Sequence, residues 1–398
     1  MSPTFGRAML AHWAFDPAVT YLNHGTVGAP PRRVVEAQRA IQDEIERQPA
    51  AKLLRELTTV RVGRPTGQTP RLRVVAEEVA NFFGARGEDL VFVDNATTGA
   101  NAVLRALALE EGDEVLVTDH GYGGVTNAAR FYTRERGAKL RVVELPDPIR
   151  SPEQVVESIA AALRENTSRI RLVLIDHICS DSAILFPVRE VAELCHTLGV
   201  PVLVDGAHAP GAIDLDIPAL GADWYVGNLH KWLWTPRSSG VLWVDPRHQA
   251  TLHPTVISWG LDEGIATEFD LVGTRDPSPY LAAPAALAMR RELGGEEVIQ
   301  TYNHELVCDA AERLAASWGV PFPTPRSMFG PMATVLLPES LGSLKDDAAR
   351  LRDVLLFEHG LELNLGARHG RLRVRIAAQV YNEMADFERL DRAVTSLL

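Results

Sequence analysis

The segments VLVDGAHAPG (202–211) and GNLHKWLWTPRSSG (227–240) each place one reactive side chain beside an apolar run. Asp205 ends the first run, and Lys231 follows the next predicted strand, between a histidine and a tryptophan. Because consecutive parallel strands end at the same edge of a sheet, we expect this carboxylate and this amine to reach one ligand. Burial would lower the pKa of the lysine and make its amine a nucleophile and a base near neutral pH.

Pyridoxal 5′-phosphate is a ligand that needs one lysine and one carboxylate in an apolar cleft. Its aldehyde forms a Schiff base with a lysine, and a carboxylate keeps its ring nitrogen protonated, so that the ring accepts electrons. In the segment DNATTGANAVL (94–104), Thr97 and Thr98 stand between a predicted strand and a predicted helix. Backbone N–H groups at a helix N-terminus bind phosphate, although a threonine N-cap without a ligand explains the same pattern. We expect this cofactor and no metal ion.

Short apolar runs and helical patterns alternate between about residues 90 and 245. The runs are rich in Val, Leu and Ile and mostly do not alternate with polar residues, which is typical of strands buried on both faces. They predict an α/β fold, with a seven-stranded, mostly parallel sheet and helices on both of its faces. The predicted strands are 90–94, 114–119, 140–145, 171–176, 200–205, 223–227 and 240–244. The predicted helices are 97–109, 124–136, 152–165 and 188–198.

The pattern changes after about residue 285, where longer helices accompany weaker strands. This change predicts a second, smaller α+β domain with which the N-terminal residues pack. We expect a large cofactor-binding domain over 22–270 and a small domain over 1–21 and 271–398, with the cofactor in a cleft between domains. The predicted elements of the second part are helices at 282–293, 296–318 and 344–359 and strands at 332–338 and 371–377.

Charge, cysteine content and the length of the apolar runs argue against several classes of partner and site. The formal net charge of the 398-residue chain is -12 and is spread along the sequence, which argues against a nucleic-acid partner. The three cysteines form no CxxC pair, so we expect neither a disulfide framework nor a zinc site, and a reducing cytoplasm. The N-terminus lacks the pattern of a signal peptide, and no apolar run approaches the roughly 18 residues of a membrane span.

The chain resembles class V, fold-type I pyridoxal-phosphate enzymes, and among them the isopenicillin-N-epimerase-like proteins. The segments DGAHAPG and GNLHKW carry the resemblance, and four further segments occur in the order of the family. These are YLNHGTVGAPP (21–31), DHGYGG (119–124), FDLVGTRDPSPYLAAPAAL (269–287) and RVRIAAQVYN (373–382). Together they span nearly the whole chain, and they imply a fold-type I transferase fold.

The resemblance implies roles for the residues around the cofactor. Lys231 matches the Schiff-base lysine, and Asp205 matches the partner of the pyridinium nitrogen. His208 matches a residue that reaches the phenolic oxygen, and Ser180 one that contacts this oxygen or the substrate. Tyr122 matches the aromatic residue that stacks on the ring. Two alternatives without a role in the site stay open. His208 also fits a histidine of the core, and Tyr122 also fits an exposed aromatic residue of a loop.

Further implied roles concern the phosphate, the substrate and the subunit interface. His230, Thr97 and Thr98 match phosphate ligands, and Thr274 matches a residue that reaches the phosphate of a neighbouring subunit. A homodimer with shared active sites follows, and twofold dimers are common in any case.

Arg375 matches the arginine that binds the substrate α-carboxylate, a task that suits a guanidinium. Asn23 and His24 match positions beside the substrate. Periodicity alone favours the alternative, in which Arg375 is one of three solvent-facing arginines in RLRVRI (371–376).

The reaction stays open among several classes. We expect labilisation of a bond at Cα of an amino acid through a Schiff base, as in an epimerase or racemase, with Lys231 as base and Tyr122 or His24 as second acid. A thiol-independent C–S lyase, a class V aminotransferase and a catalytically dead binding protein of the same fold are the alternatives. The segment NLGARHGRLRVR (364–375) contains no cysteine, which disfavours a persulfide-forming desulfurase. Arg61 and Arg64 are candidates for a second acidic group of the substrate, or form a solvent-facing turn.

Overall fold

The computed structural model describes residues 5–58 and 68–398, so the candidates Arg61 and Arg64 lie outside the described residues. The strands are β1 (Thr20–Tyr21), β2 (Leu90–Val93), β3 (Glu114–Thr118), β4 (Lys139–Val143), β5 (Ile170–Asp176), β6 (Val202–Gly206), β7 (Trp224–Asn228), β8 (Gly240–Val244), β9 (Met332–Leu336), β10 (Leu361–Glu362), β11 (Asn364–Arg368) and β12 (Arg371–Ala377).

The α-helices are α1 (His24–Val27), α2 (Arg32–Arg47), α3 (Pro49–Ala51), α4 (Arg71–Phe82), α5 (Ala96–Ala106), α6 (Gly123–Glu135), α7 (Pro152–Asn166), α8 (Val188–Thr197), α9 (Ile265–Asp270), α10 (Ser278–Leu281), α11 (Ala283–Glu292), α12 (Glu296–Trp318), α13 (Lys345–Phe357) and α14 (Met384–Thr395). No helix in the described ranges combines the length and the hydrophobicity that crossing a lipid bilayer requires.

The seven strands predicted between residues 90 and 244 form one sheet in the order β2-β8-β7-β6-β5-β3-β4. Strand β8 runs antiparallel to both of its neighbours, and the other pairs are parallel. This confirms the predicted α/β fold with a mostly parallel sheet. Predicted and observed strand ends differ by two residues or fewer. Such differences are expected because the end of an apolar run does not mark the end of a strand to the residue.

Alternate residues of each central strand enter different hydrophobic clusters, one on each face of the sheet. In β5, Leu172 and Leu174 pack with helices α5 and α6, whereas Val173 and Ile175 pack with α4, α7 and α8. Burial on both faces explains why these strands read as continuous apolar runs rather than as alternating ones.

A second sheet, in the order β11-β12-β9, is antiparallel and packs with helices α12 and α13. The N-terminal segment joins this part of the chain, because β1 pairs with β10 and the N–H of Gly6 donates to the carbonyl of Val380 at 2.8 Å. The boundary at residue 270 stays a prediction, since one hydrophobic cluster includes residues of both sheets.

Candidate active site

The carboxyl ends of four adjacent strands border a cavity of about 490 Å³. In the order of the sheet, Lys231 follows β7, Asp205 lies in β6, Asp176 ends β5 and Tyr122 follows β3. Neighbouring strands are roughly 4.8 Å apart, so Lys231 and Tyr122 approach the cavity from strands about 14 Å apart, with the two carboxylates between them.

Lys231 is 9% exposed, and its Nζ lies 3.0 Å from Nε2 of His208. Burial and, to a smaller extent, the positive charge of Arg375 together lower the pKa of Lys231 to about 7, against the charges of Asp205 and Asp176, which raise it. A large fraction of the amine is therefore neutral at physiological pH, as a nucleophile and base requires.

Arg290 holds together the two segments that carry the site. It is 1% exposed, and its guanidinium donates at 2.8 Å to the carbonyl of Trp232 and at 2.8 Å to that of Gly211. The N-terminal chain packs equally closely, since Gly28 has a φ of 64° and an added Cβ would lie 1.8 Å from the carbonyl oxygen of His230. The buried environment of Lys231 is thus made by segments far apart in sequence.

His208 shares the buried environment of the lysine. Burial, together with the charge of Lys231, lowers the pKa of His208 well below its usual value, so the ring is neutral. Its Nδ1 has no hydrogen-bond partner within the described ranges. A contact of this ring with a phenolic oxygen stays a prediction, and the observed contact is with the amine of Lys231.

Two carboxylates in register each have one unpartnered oxygen in this region. Asp205 pairs with Asp176 across β6 and β5. One oxygen of Asp205 accepts from the N–H of Ala207 at 3.0 Å, and one oxygen of Asp176 accepts from the N–H of Tyr122 at 3.2 Å. The second oxygen of each lacks a partner among the residues described. Burial raises the pKa of both groups, and the charge of Asp205 adds to the effect on Asp176. A cationic N–H group in the cavity would satisfy such an oxygen.

The start of helix α5 borders the cavity at Thr97 and Thr98, as predicted, but most of its N–H groups are already bonded. The N–H of Ala96 donates to Oδ1 of Asn228 at 2.8 Å, and that of Thr98 donates to Oδ1 of Asn95 at 2.9 Å. The N–H groups of Ala96 and Thr98 are therefore not available to a phosphate. The threonine hydroxyls and the N–H of Thr97 are the groups at this helix end that suit a phosphate.

His230 also borders the cavity. Its Nδ1 lies 2.8 Å from the carbonyl of Ser239, so Nδ1 carries a hydrogen, because a carbonyl only accepts. Burial lowers the pKa of His230 to about 4. Its Nε2 donates to a phosphate only when the ring is protonated, and a neighbouring phosphate dianion favours that state.

Arg375 is buried at 3% exposure, so the solvent-facing alternative for it is wrong. Its guanidinium donates to the carbonyl of Ser180, to Oγ1 of Thr26 at 2.6 Å and to Oδ1 of Asn23 at 3.3 Å. Burial lowers the pKa of Arg375 to about 10, which leaves it charged at neutral pH. Arg375 does not itself border the cavity, whereas its partners Thr26 and Ser180 do, so binding of a substrate carboxylate by this arginine stays a prediction.

His24 and Thr274 do not border this cavity. Both ring nitrogens of His24 are bonded, to the Tyr381 hydroxyl at 2.9 Å and to the Lys231 carbonyl at 3.0 Å. Burial lowers the pKa of His24 to about 3, so the ring is neutral, and its two hydrogen bonds leave neither ring nitrogen available to a substrate in this fold. Thr274 is exposed and borders a separate groove that also contains Leu53. Its contact with a partner subunit stays a prediction.

The sequence analysis assigned no role in the site to several residues that border the cavity. Among the strand-end carboxylates, Asp176 borders it, whereas Asp94 accepts from the Tyr280 hydroxyl and Asp119 pairs with Arg368, both outside the cavity. The strand ends alone did not distinguish these cases. The other cavity residues without a predicted role are Thr26, Asn95, Ala96, Ala207 and Asn228.

A substitution at Arg375 tests its role. Arg375→Gln is expected to raise KM for α-amino acids by about 10- to 100-fold, the worth of a lost charge-assisted contact, with a smaller change in kcat. Steady-state kinetics checks this against Arg189→Gln, an exposed arginine of α8. The role is wrong if amines without a carboxylate are equally good substrates of the wild-type enzyme.

Comparison with known proteins identifies the family. A model of the class V aminotransferases matches residues 64–328. The chain belongs to this family. It is 33% identical to a probable chloroplastic L-cysteine desulfhydrase of Arabidopsis thaliana, over 96% of this chain and 84% of that protein. It is 31% identical to isopenicillin N epimerase of Amycolatopsis lactamdurans, over 96% of both chains.

Solved structures agree on the fold of the family. A complex of the cystine C–S lyase C-DES with cysteine persulfide has a TM-score of 0.75 at 21% identity and covers 98% of both chains. A cysteine desulfurase from Thermococcus onnurineus has a TM-score of 0.78 at 20% identity, over 100% of this chain and 99% of that one. These likenesses confirm the expected fold-type I architecture.

The protein is a pyridoxal-phosphate-dependent enzyme of this family. The donor set fits the cofactor, because the unpartnered oxygen of Asp205 suits a ring N–H, and Thr97, Thr98 and His230 suit the phosphate. The bound cofactor would withdraw electrons from Cα of the substrate. The amine of Lys231 would hold its aldehyde end.

Proposed function

We propose that this enzyme inverts Cα of an amino-acid substrate, as an epimerase or racemase. The arrangement of Lys231 and Tyr122 carries the proposal, because they border one cavity from strands on either side of Asp205 and Asp176. Inversion needs proton removal on one side of Cα and proton delivery on the other, and one acid–base group at each flank of the cavity supports this.

The side chains divide the work as follows. Arg375 binds the substrate carboxylate and fixes the position of Cα. The neutral amine of Lys231 removes the Cα proton, which its low pKa favours. The Tyr122 hydroxyl delivers a proton from the other side, and since this side chain is 44% exposed, solvent replaces that proton. His24 takes no part, because both of its ring nitrogens are bonded.

A thiol-independent C–S lyase is the second candidate. Elimination of a sulfur group from Cβ needs the base Lys231 but no second acid, and no cysteine lines the described cavity. Cys179 adjoins Ser180 yet is buried, and burial raises the pKa of its thiol. The desulfhydrase relatives, and a hercynylcysteine sulfoxide lyase of Schizosaccharomyces pombe that is 26% identical, bear names of this class.

An amino-acid panel in deuterated water tests both candidates. Solvent deuterium at Cα with inverted configuration supports epimerisation. Release of a keto acid with ammonia and a sulfur species supports the lyase. Accumulation of pyridoxamine phosphate would instead indicate transamination and contradict both.

The variant Tyr122→Phe separates the candidates further. We expect inversion to fall by about 10²- to 10³-fold, while Lys231 still exchanges the Cα proton with retention of configuration. Chiral chromatography combined with mass spectrometry measures both rates. Tyr132→Phe is the matched control, because Tyr132 lies in helix α6, which begins directly after Tyr122. Unchanged inversion in Tyr122→Phe would exclude Tyr122 as the second acid.

A further inference from the structure

A second cavity, of about 320 Å³, lies beside the catalytic one. Alternate residues of strand β12 face the same side of their sheet, so Arg371 and Arg373 border this cavity while Arg375 reaches the catalytic site. The Cα atoms of Arg373 and Arg375 are about 7 Å apart along the strand. The row of arginines therefore continues past the catalytic site into a separate space.

The two cavities also share chain segments. His120 borders the second cavity and stands two residues before Tyr122, which borders the first. Ser182 and Ser180 are related in the same way. A molecule in the second cavity would thus contact the segments that carry two residues of the catalytic cavity.

Several buried nitrogens at the second cavity lack an acceptor. His120 is 3% exposed, and its Nδ1 lies 2.8 Å from Oγ of Ser182. Its Nε2 and the Nε atoms of Arg371 and Arg373 have no hydrogen-bond partner within residues 5–58 and 68–398. Buried polar groups are nearly always bonded, so the two arginine nitrogens indicate a missing acceptor, as does Nε2 of His120 in the tautomer in which the Ser182 hydroxyl donates to Nδ1.

The charge at this cavity points to an anion. The described lining residues include three arginines, Arg150, Arg371 and Arg373, but a single carboxylate, Asp147. Arg373 already pairs with Asp147, and Arg371 pairs at 3.1 Å with Glu339, whose side chain is 78% exposed. A cationic lining is unusual in a chain with a net charge of -12.

Part of the lining of this second cavity is apolar. The rings of Phe322 and Phe329 stack with centroids 5.3 Å apart, and Ile149 and Ile184 also belong to this part of the lining. The volume is at the lower end of the range of ligand pockets, roughly 300–1,000 Å³. A fitting ligand is therefore small, with an apolar body and one anionic group.

We propose that this second cavity binds a small carboxylate with an apolar body. The carboxylate lies against Arg371, Arg373 and His120, and the apolar body lies against Phe322 and Phe329. Two sources supply this chemistry: a free organic acid, or a distal carboxylate on the side chain of a substrate held at Arg375. The proposal concerns binding alone and does not depend on which reaction the enzyme catalyses.

Isothermal titration of the holoenzyme with 3-phenylpropionate tests the proposal. We expect saturable binding of one molecule per chain, and binding about tenfold or more weaker for the neutral 3-phenylpropionamide. Arg371→Gln and Arg373→Gln are each expected to weaken carboxylate binding by about tenfold or more. If Arg373→Gln does not fold, Arg371→Gln alone tests the proposal. The ion-pair partner of Arg371 is the exposed Glu339, so this substitution leaves no buried carboxylate unpaired.

Arg375→Gln is the control for binding in the catalytic cavity, and it should leave the affinity within about twofold. Loss of binding in Arg375→Gln with retention in Arg371→Gln would place the probe in the catalytic cavity and overturn the proposal, as would equal binding of the amide. Saturating L-alanine and L-glutamate then distinguish the two sources. If glutamate but not alanine displaces 3-phenylpropionate, the natural ligand is the distal carboxylate of a substrate. If 3-phenylpropionate stays bound with both amino acids, the natural ligand is a free acid.

Discussion

Lys231→Ala is expected to lower kcat by roughly 10⁴-fold, because the variant lacks the base that removes the Cα proton. The amine is buried and its pKa is lowered to about 7. Water at the same position is a much weaker base and does not replace it. Single-turnover and steady-state assays on the purified holoenzyme measure the loss.

A chemical readout separates this effect from misfolding. Borohydride reduction of the wild-type holoenzyme is expected to attach the cofactor to Lys231, as peptide mass spectrometry would show, and Lys231→Ala should carry no such label. Lys139→Ala is the matched control, since this lysine is exposed at the start of β4 and should keep both activity and label. Full turnover in Lys231→Ala would refute the assignment.

Asp205→Asn is expected to lower kcat by about 10²- to 10³-fold, since one preorganised charge at the reaction centre is lost. In the cofactor-free protein the same change should raise the melting temperature. Burial raises the folded-state pKa of Asp205 above its unfolded value, so the folded protein binds more protons and loses stability as pH rises above about 4. Asparagine removes that loss. Thermal melting at several pH values, beside kinetics, measures the two opposite effects.

The neighbouring strand offers a matched control. Asp176 is in register with Asp205 and equally buried, and burial raises its pKa as well. Asp176→Asn should therefore also stabilise the cofactor-free protein, yet lower kcat far less, because Asp205 and not Asp176 is the carboxylate assigned to the ring N–H of the cofactor. Equal loss of activity in the two variants would contradict the special role of Asp205.

The sequence predicted the sheet and the central pair of the site because both depend on local patterns. Apolar runs such as RLVLID (171–176) become strands buried on both faces, and consecutive parallel strands bring Asp205 and Lys231 to one edge. Strands β1, β10 and β11 were not predicted. The first two have only two residues each, too few for a pattern.

The rest of the site depends on long-range contacts that no local pattern contains. His24 was wrong as a proton donor because its ring bonds Tyr381 and the carbonyl of Lys231, 207 residues away. At the start of helix α5, the N–H of Ala96 is not available to a phosphate, because it donates to Asn228, from a strand 132 residues later. Such partners follow only from the assembled fold.

The anchoring of Arg375 has a consequence for the synthesis of this protein. Its hydrogen-bond partners are Thr26 and Asn23, 349 and 352 residues earlier in the chain, and Ser180. Thr26 and Asn23 are translated long before the arginine, so these hydrogen bonds cannot form until residue 375 has left the ribosome. Domains generally fold as units during translation, and the large sheet is complete by residue 244. A chain during synthesis is therefore expected to form the pocket of Lys231 before Arg375 can bond Thr26 and Asn23.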